Sequence, residues 1–112
     1  MAGQCYKAAY SAQLNTLDAV LVHGIVTPLA GELKGKSYGH AWIELKSKHD
    51  VEVIDPSLPI GRQRHSKETY YLLGGINYTK KYTLDETVDI VLKFKNYGPW
   101  DSKITAALHL GD

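Results

Sequence analysis

The sequence predicts a small α+β domain, a helix followed by an antiparallel sheet, and three observations predict it. From Cys5 to about Leu17 no Gly or Pro interrupts the chain, and Tyr6, Ala9, Leu14 and Leu17, with Ala8 and Ala12, form an approximate helical stripe. Ala19–Val26 is a short, continuous, β-branched run, the pattern of a buried strand. Tyr38–Leu45 then alternates, with Ala41, Ile43 and Leu45 on one side and His40, Trp42 and Glu44 on the other. The polar stretch Lys46–Asp50 joins it to a partner strand, Val51–Asp55.

The remaining elements follow from punctuation. Pro28, Gly31 and Gly35 mark the connection between the first two strands, and Pro56, which cannot donate to a ladder, ends the third. Ser57–Ser66 reads as loop, and Ser66 or Lys67 to Leu73 as a short helix stopped by Gly74-Gly75. Thr83-Leu84-Asp85-Glu86 is a capping-box pattern. The helix it starts is expected to turn Leu84, Val88, Val91 and Leu92 to one face and to end near Asn96, ahead of Gly98-Pro99. Ile104–Leu110 fits either a last strand or a helix.

The 112 residues are read as a single domain, 1–112, since domains commonly run about 100–150 residues. A composition of 44% hydrophobic and 22% charged residues argues against disorder. Thirteen basic side chains nearly cancel twelve acidic ones, so the field that nucleic-acid binding needs is missing, and no nucleic-acid partner is expected. The longest apolar stretch, Ala19–Val26, is far below the ~20 residues that span a bilayer, so no membrane partner is expected either. A lone cysteine, Cys5, allows no internal disulfide, and the first residues show no secretory pattern, so the expected setting is the reduced cytoplasm. The sequon Asn77-Tyr78-Thr79 is then a chance match.

The hairpin makes a geometric prediction. With a turn at Ser47-Lys48, or a four-residue loop Lys46–His49, Leu45 faces Asp50 and His40 faces Asp55, on the same face of the sheet. The carboxylate then fixes the tautomer and orientation of the imidazole. A three-residue loop slips the register by one and turns Asp55 to the other face. Cys5 falls where the first helix starts, and helix N-termini carry partial positive charge and free N–H groups that favour a thiolate and can hold an oxyanion. Nucleophile, base and orienter are thus all available for covalent acyl transfer. Gln4 is the candidate side-chain donor to the oxyanion. Gly39, with no side chain to obstruct a substrate backbone, and Trp42 are candidate groove residues.

His40-Ala41-Trp42-Ile43-Glu44 followed by Val53-Ile54-Asp55-Pro56-Ser57 resembles the H-A-W-x-E … D-P block of transglutaminase-like proteins, members of the papain-like cysteine peptidase superfamily. The chain order Cys, His, Asp matches as well. The resemblance implies a minimal papain-like domain with Cys5 as nucleophile, His40 as general base and acid, and Asp55 as orienter. It also implies a protein or peptide substrate cleaved or transferred at an amide, isopeptide or related acyl bond, with no cofactor. Gln4-Cys5-Tyr6 stands where that family carries Gly-x-Cys-Trp, which favours the alternative of a non-catalytic protein-binding module, an inhibitor or accessory protein, on the same fold.

Blander readings cover the other polar residues. His23, inside an apolar strand, is expected to be a hydrogen-bonded core histidine, and no close-spaced ligand pair supports a Cys5/His23/His40/Asp55 zinc site, so no metal is expected. His49, His65 and His109 are expected in solvent, as is the Arg62/Arg64/Lys67 run. Asp55 also suits the turn it begins with Pro56-Ser57. Most of the eight tyrosines are expected to fill the core with their hydroxyls reaching water, while Tyr97 and Trp100 stay open between core and groove.

Overall fold

Helix α1 (Gln4–Leu14) opens the computed structural model, which describes residues 4–107, and packs on one face of a five-stranded sheet. Its buried residues are Cys5, Tyr6, Ala9 and Gln13. Leu14 and Leu17, expected in the stripe, are exposed. The reason is angular: Leu14 lies five residues beyond Ala9, about 140° round the helix, whereas Gln13 lies four beyond it. Gln13 is accommodated because its Nε2 donates to the carbonyls of Ala19 (3.3 Å) and Tyr82 (3.1 Å). The chain then turns at Asp18, which takes a left-handed φ of 61°, into β1.

The strands are β1 (Val20–Val26), β2 (Tyr38–Lys46), β3 (Val51–Ile54), β4 (Arg64–Ser66) and β5 (Tyr78–Tyr82). They run in the order β4-β3-β2-β1-β5, every neighbouring pair antiparallel. Three strands fall where the sequence places them. The expected loop at 57–66 ends in β4, a three-residue strand held by pairing with β3, and β5 (Tyr-Thr-Lys-Lys-Tyr) is too polar to stand out by periodicity. As an edge strand, β5 gains from Lys80 and Lys81, whose charges discourage pairing with another chain.

Helix α2 (Lys67–Gly74) is bounded as predicted, by the Ser66 side chain at its start and the left-handed Gly75 at its end. Helix α3 (Leu84–Phe94) carries the expected capping box of Thr83 and Glu86. Its inward face differs from the expected one: Thr87 is buried and Ile90 packs on the core, while Leu84 and Leu92 are exposed. The Thr87 hydroxyl bonds back to the Thr83 carbonyl at 2.9 Å, so a threonine fits the close approach. A short helix, α4 (Ser102–Thr105), is capped by Asp101 and buries Ile104. Of the expected Ile104–Leu110 element, Ala106 caps this helix and residues 108–110, His109 among them, lie outside the described residues.

Two apolar layers result. On the α1 side, Tyr6, Ala9, Leu21, Ala41, Ile43 and Tyr82 interlock; on the other, Val22, Val26, Trp42 and Val53 pack under Tyr70 and Tyr71 of α2. Each fully buried Leu, Ile or Val contributes about 1.5–3 kcal/mol. Among the described residues no helix is long and apolar enough to cross a membrane.

Candidate active site

The β2–β3 turn decides where Asp55 goes. Lys46 pairs with Val51 and Ile43 with Ile54, so the loop is Ser47–Asp50, closed by the Ser47 amide on the Asp50 carbonyl at 2.8 Å. The register is therefore two residues away from the expected one, and His40 is not directly opposite Asp55. Because strand faces repeat every two residues, parity survives and both side chains remain on one face as a diagonal pair. His40 Nε2 and Asp55 Oδ2 are 2.9 Å apart. Ladder pairing of β2 with β3 stops at Ile43↔Ile54, and the Asp55 amide turns away to the Gln63 carbonyl at 2.8 Å.

The two carboxylate oxygens of Asp55 divide their work. Oδ1 accepts from the Ser57 amide at 3.0 Å and from the Ser57 hydroxyl at 2.6 Å, which makes the turn expected of an Asp before Pro-Ser. Oδ2 accepts from His40 and from the Tyr70 hydroxyl. Asp55 is only 2% exposed. Burial opposes its ionisation, yet the His40 hydrogen bond and charge, with Ser57 and Tyr70, lower its pKa to about 2.

For His40, burial disfavours the imidazolium, but the hydrogen bonds and charges of Asp55 and Cys5 outweigh burial and raise the pKa from 6.5 to about 10. With Nε2 engaged by Asp55, Nδ1 is the nitrogen left for the thiol. Cys5, His40 and Asp55 line one cavity of about 570 Å³, between the tip of α1, the end of β1 with the following loop, the β3–β4 loop and α2. Cys5 is the second residue of α1, where unpaired helix amides cluster, and its side chain is 8% exposed.

Gln4 is exposed and lines the same cavity. The two groove candidates do not: Gly39 is buried in β2, and Trp42 is 0% exposed, beneath His40 and α2. Trp42 points inward because it shares its face with Val22 directly across the ladder. Its indole Nε1 donates to Glu44 Oε2 at 3.1 Å, and Tyr71 also donates to that oxygen. Lys67 and Lys81 lie 3.7 and 3.4 Å from Glu44 Oε1, so a buried glutamate ties β2 to α2 and β5.

Tyr70 and Ser57 are the residues that motif reading missed. Burial first, then the charge and hydrogen bond of Asp55, hold the Tyr70 hydroxyl protonated far above its ordinary range, so it remains a donor. Ser57 belongs to the D-P block, but only the turn shows its hydroxyl reaching Asp55 and lying 3.4 Å from His40 Nε2. The Ser66 cap, three residues before Thr69, is the signal that sets the phase of α2 and so aims Tyr70.

His23 occupies the opposite face of the sheet. It is 0% exposed, and among the described residues neither ring nitrogen has a hydrogen-bond partner, contrary to the expected bonded core histidine. Rings of Tyr6, Tyr82 and Trp100 surround it at centroid distances of 4.9, 5.3 and 4.9 Å. Trp100 thereby packs against the core, while Tyr97 is exposed beside Tyr10. His65, expected in solvent, lines the cavity, with Nε2 donating to the Arg62 carbonyl at 2.7 Å. Comparison with known proteins yields no matching family model, curated protein or solved structure for this chain.

Proposed function

We propose that this chain is a cysteine-nucleophile hydrolase or acyl transferase, built on a minimal papain-like (transglutaminase-like) fold, that acts on amide, isopeptide or related acyl bonds of a protein or peptide. One observation carries the reading: an imidazole bonded to a buried carboxylate shares a cavity with the chain's only cysteine, which stands at a helix tip. An imidazolium beside a thiol is the pairing that supports a thiolate nucleophile. In this scheme Cys5 Sγ forms a bond to the carbonyl carbon while His40 holds the thiol proton. The tetrahedral oxyanion faces the α1 amides, with Gln4 as the nearby side-chain donor. Collapse breaks the bond to the leaving amine, which takes the proton from His40. Water or a second amine then attacks the thioester, with His40 as base. Asp55 keeps the ring oriented throughout. No cofactor enters this scheme, and the reduced thiol it needs suits the cytoplasm.

The test is alkylation of Cys5 by iodoacetamide near neutral pH, with Cys5→Ala as the blank. Labelling faster than free cysteine, slowed by His40→Ala, supports the scheme. Labelling no faster than free cysteine, unchanged by His40→Ala, rejects it. The exposed leucines 29, 72 and 73 favour a second reading, a protein-binding module on the same fold. A complex that forms equally well with Cys5→Ala distinguishes that reading from catalysis.

A further inference from the structure

We infer that the Cys5 cavity selects an uncharged, apolar acyl donor and turns away acidic and basic ones, an inference that rests on the acyl-transfer reading. The walls are mostly hydrocarbon: Ala8, Val26, Pro28, Leu33, Leu58 and Leu73. Among the described residues no Lys, Arg or Glu lines the cavity. Of the polar groups that do, Asp55 and His65 are already engaged. Asp55 accepts four hydrogen bonds, from His40, Tyr70 and twice from Ser57. His65 Nε2 is committed to the Arg62 carbonyl. A substituent carrying its own charge would therefore meet mainly hydrocarbon walls, with the one cavity carboxylate saturated and His40 already paired to it, at large desolvation cost.

The apolar surface continues outside the mouth. The Leu29 amide bonds to the Leu73 carbonyl at 3.0 Å, which sets the two leucines side by side, and each is more than half exposed. Ile60, in the same loop as Leu58, is 96% exposed. Leu73, which lines the cavity, and its exposed neighbour Leu29 extend the apolar wall toward a bound substrate. By contrast, the cavity between the β2–β3 turn and β4 is lined by Ser47, Asp50, Val51, Glu52, His65 and Ser66, with a single aliphatic side chain among them.

The acyl step balances without further reagents. The Cys5 Sγ–carbonyl carbon bond forms, the bond from that carbon to the leaving nitrogen or oxygen breaks, and the thiol proton leaves with the departing group by way of His40. An aminoacyl residue with an aliphatic or aromatic side chain and a medium-length fatty acyl chain present the same chemistry to these walls.

The experiment measures inactivation of the intact chain by chloromethyl ketones with one shared warhead. They carry a leucyl, phenylalanyl, aspartyl, lysyl or saturated octanoyl group, and each rate is divided by the iodoacetamide rate. The apolar reagents are expected to react at least about tenfold faster than the aspartyl and lysyl ones. Leu73→Glu, at an exposed position that a glutamate can occupy, is expected to reduce that ratio several-fold. A leucyl or phenylalanyl rate above the octanoyl rate assigns a peptide source, and the reverse assigns a fatty acyl source; either upholds the inference. A ratio near one in the unaltered protein overturns it. If His40→Ala still slows iodoacetamide in that case, the acyl-transfer reading stands and only the selectivity is lost.

Discussion

His23 and His40 lie on neighbouring strands, one register step apart, and are driven in opposite directions. In the β1–β2 ladder His23 pairs with Ala41 and Gly24 with His40, so the two imidazoles project from opposite faces at adjacent register positions. Burial lowers the His23 pKa to about 3, against the opposing charge of Asp101. Burial acts the same way on His40, but Asp55 and Cys5 reverse the outcome and raise it to about 10. Desolvation sets the size of the stakes; a partner sets the sign. Among the described residues the α1 face offers His23 aromatic rings and no hydrogen-bond acceptor, whereas the α2 face offers His40 a carboxylate held by three other donors.

Removing the partner should break this contrast most sharply. Asp55→Asn removes the larger of the two partners and leaves only Cys5 to oppose burial, so the His40 pKa falls from about 10. Cys5 alkylation at pH 7 is expected to drop on the order of 10²–10³-fold. The double variant Asp55→Asn/His40→Ala should lose little more than His40→Ala alone, because the two act as a unit. Additive losses would show that they do not.

Stability against pH probes the other face. His23 has a folded pKa below its unfolded value of 6.5, so its contribution is complete above pH 6.5 and is lost as pH falls toward about 3. Between pH 6.5 and 4 this amounts to about 3 kcal/mol. Urea titrations of His23→Phe should show that much less acid dependence, whatever its absolute stability. His40 has the opposite sign: with a folded pKa above its unfolded one, its contribution is complete below pH 6.5 and is lost as pH rises toward about 10. His40→Ala should therefore flatten the alkaline limb, and because it releases Asp55 it should also change the acid limb.

Each imidazole also depends on a glycine that leaves it room. A Cβ on Gly98, which sits at φ +103°, would come within 2.6 Å of His23 Cε1. A Cβ on Gly24 would come within 2.6 Å of Trp42 Cη2, the indole beneath His40. Gly98→Ala and Gly24→Ala are each expected to cost about 2–3 kcal/mol in thermal or urea unfolding. Only Gly24→Ala should also slow Cys5 alkylation.

The smallest expected effect belongs to Tyr70→Phe, which removes one donor from Asp55 Oδ2 and leaves the ring in place. A loss of about 1–1.5 kcal/mol by urea unfolding is expected. The alkylation rate should fall a few-fold, with its pH profile displaced. A pH profile identical to that of the unaltered protein would reduce Tyr70 to a purely structural contact.

Local chemistry along the chain was enough to place α1, the first three strands, both ends of α2 and the capping box of α3, because periodicity and punctuation act within a few residues. It was also enough to draw attention to Cys5, His40 and Asp55, since residue type and strand parity are local properties. Long-range packing settled the rest. The turn closed at Ser47–Asp50 and made His40 and Asp55 diagonal neighbours; only the even size of that displacement kept them on one face. Strands β4 and β5 form because β3 and β1 offer them ladders, so their own sequences hardly announce them. Trp42 was drawn inward by the hydrophobic layer under α2, and Tyr70, Ser57 and the unpartnered His23 acquired their surroundings from segments distant in sequence. A neighbour's dipole, charge or bulk is felt across a few ångströms of space, and no one-dimensional pattern carries that distance.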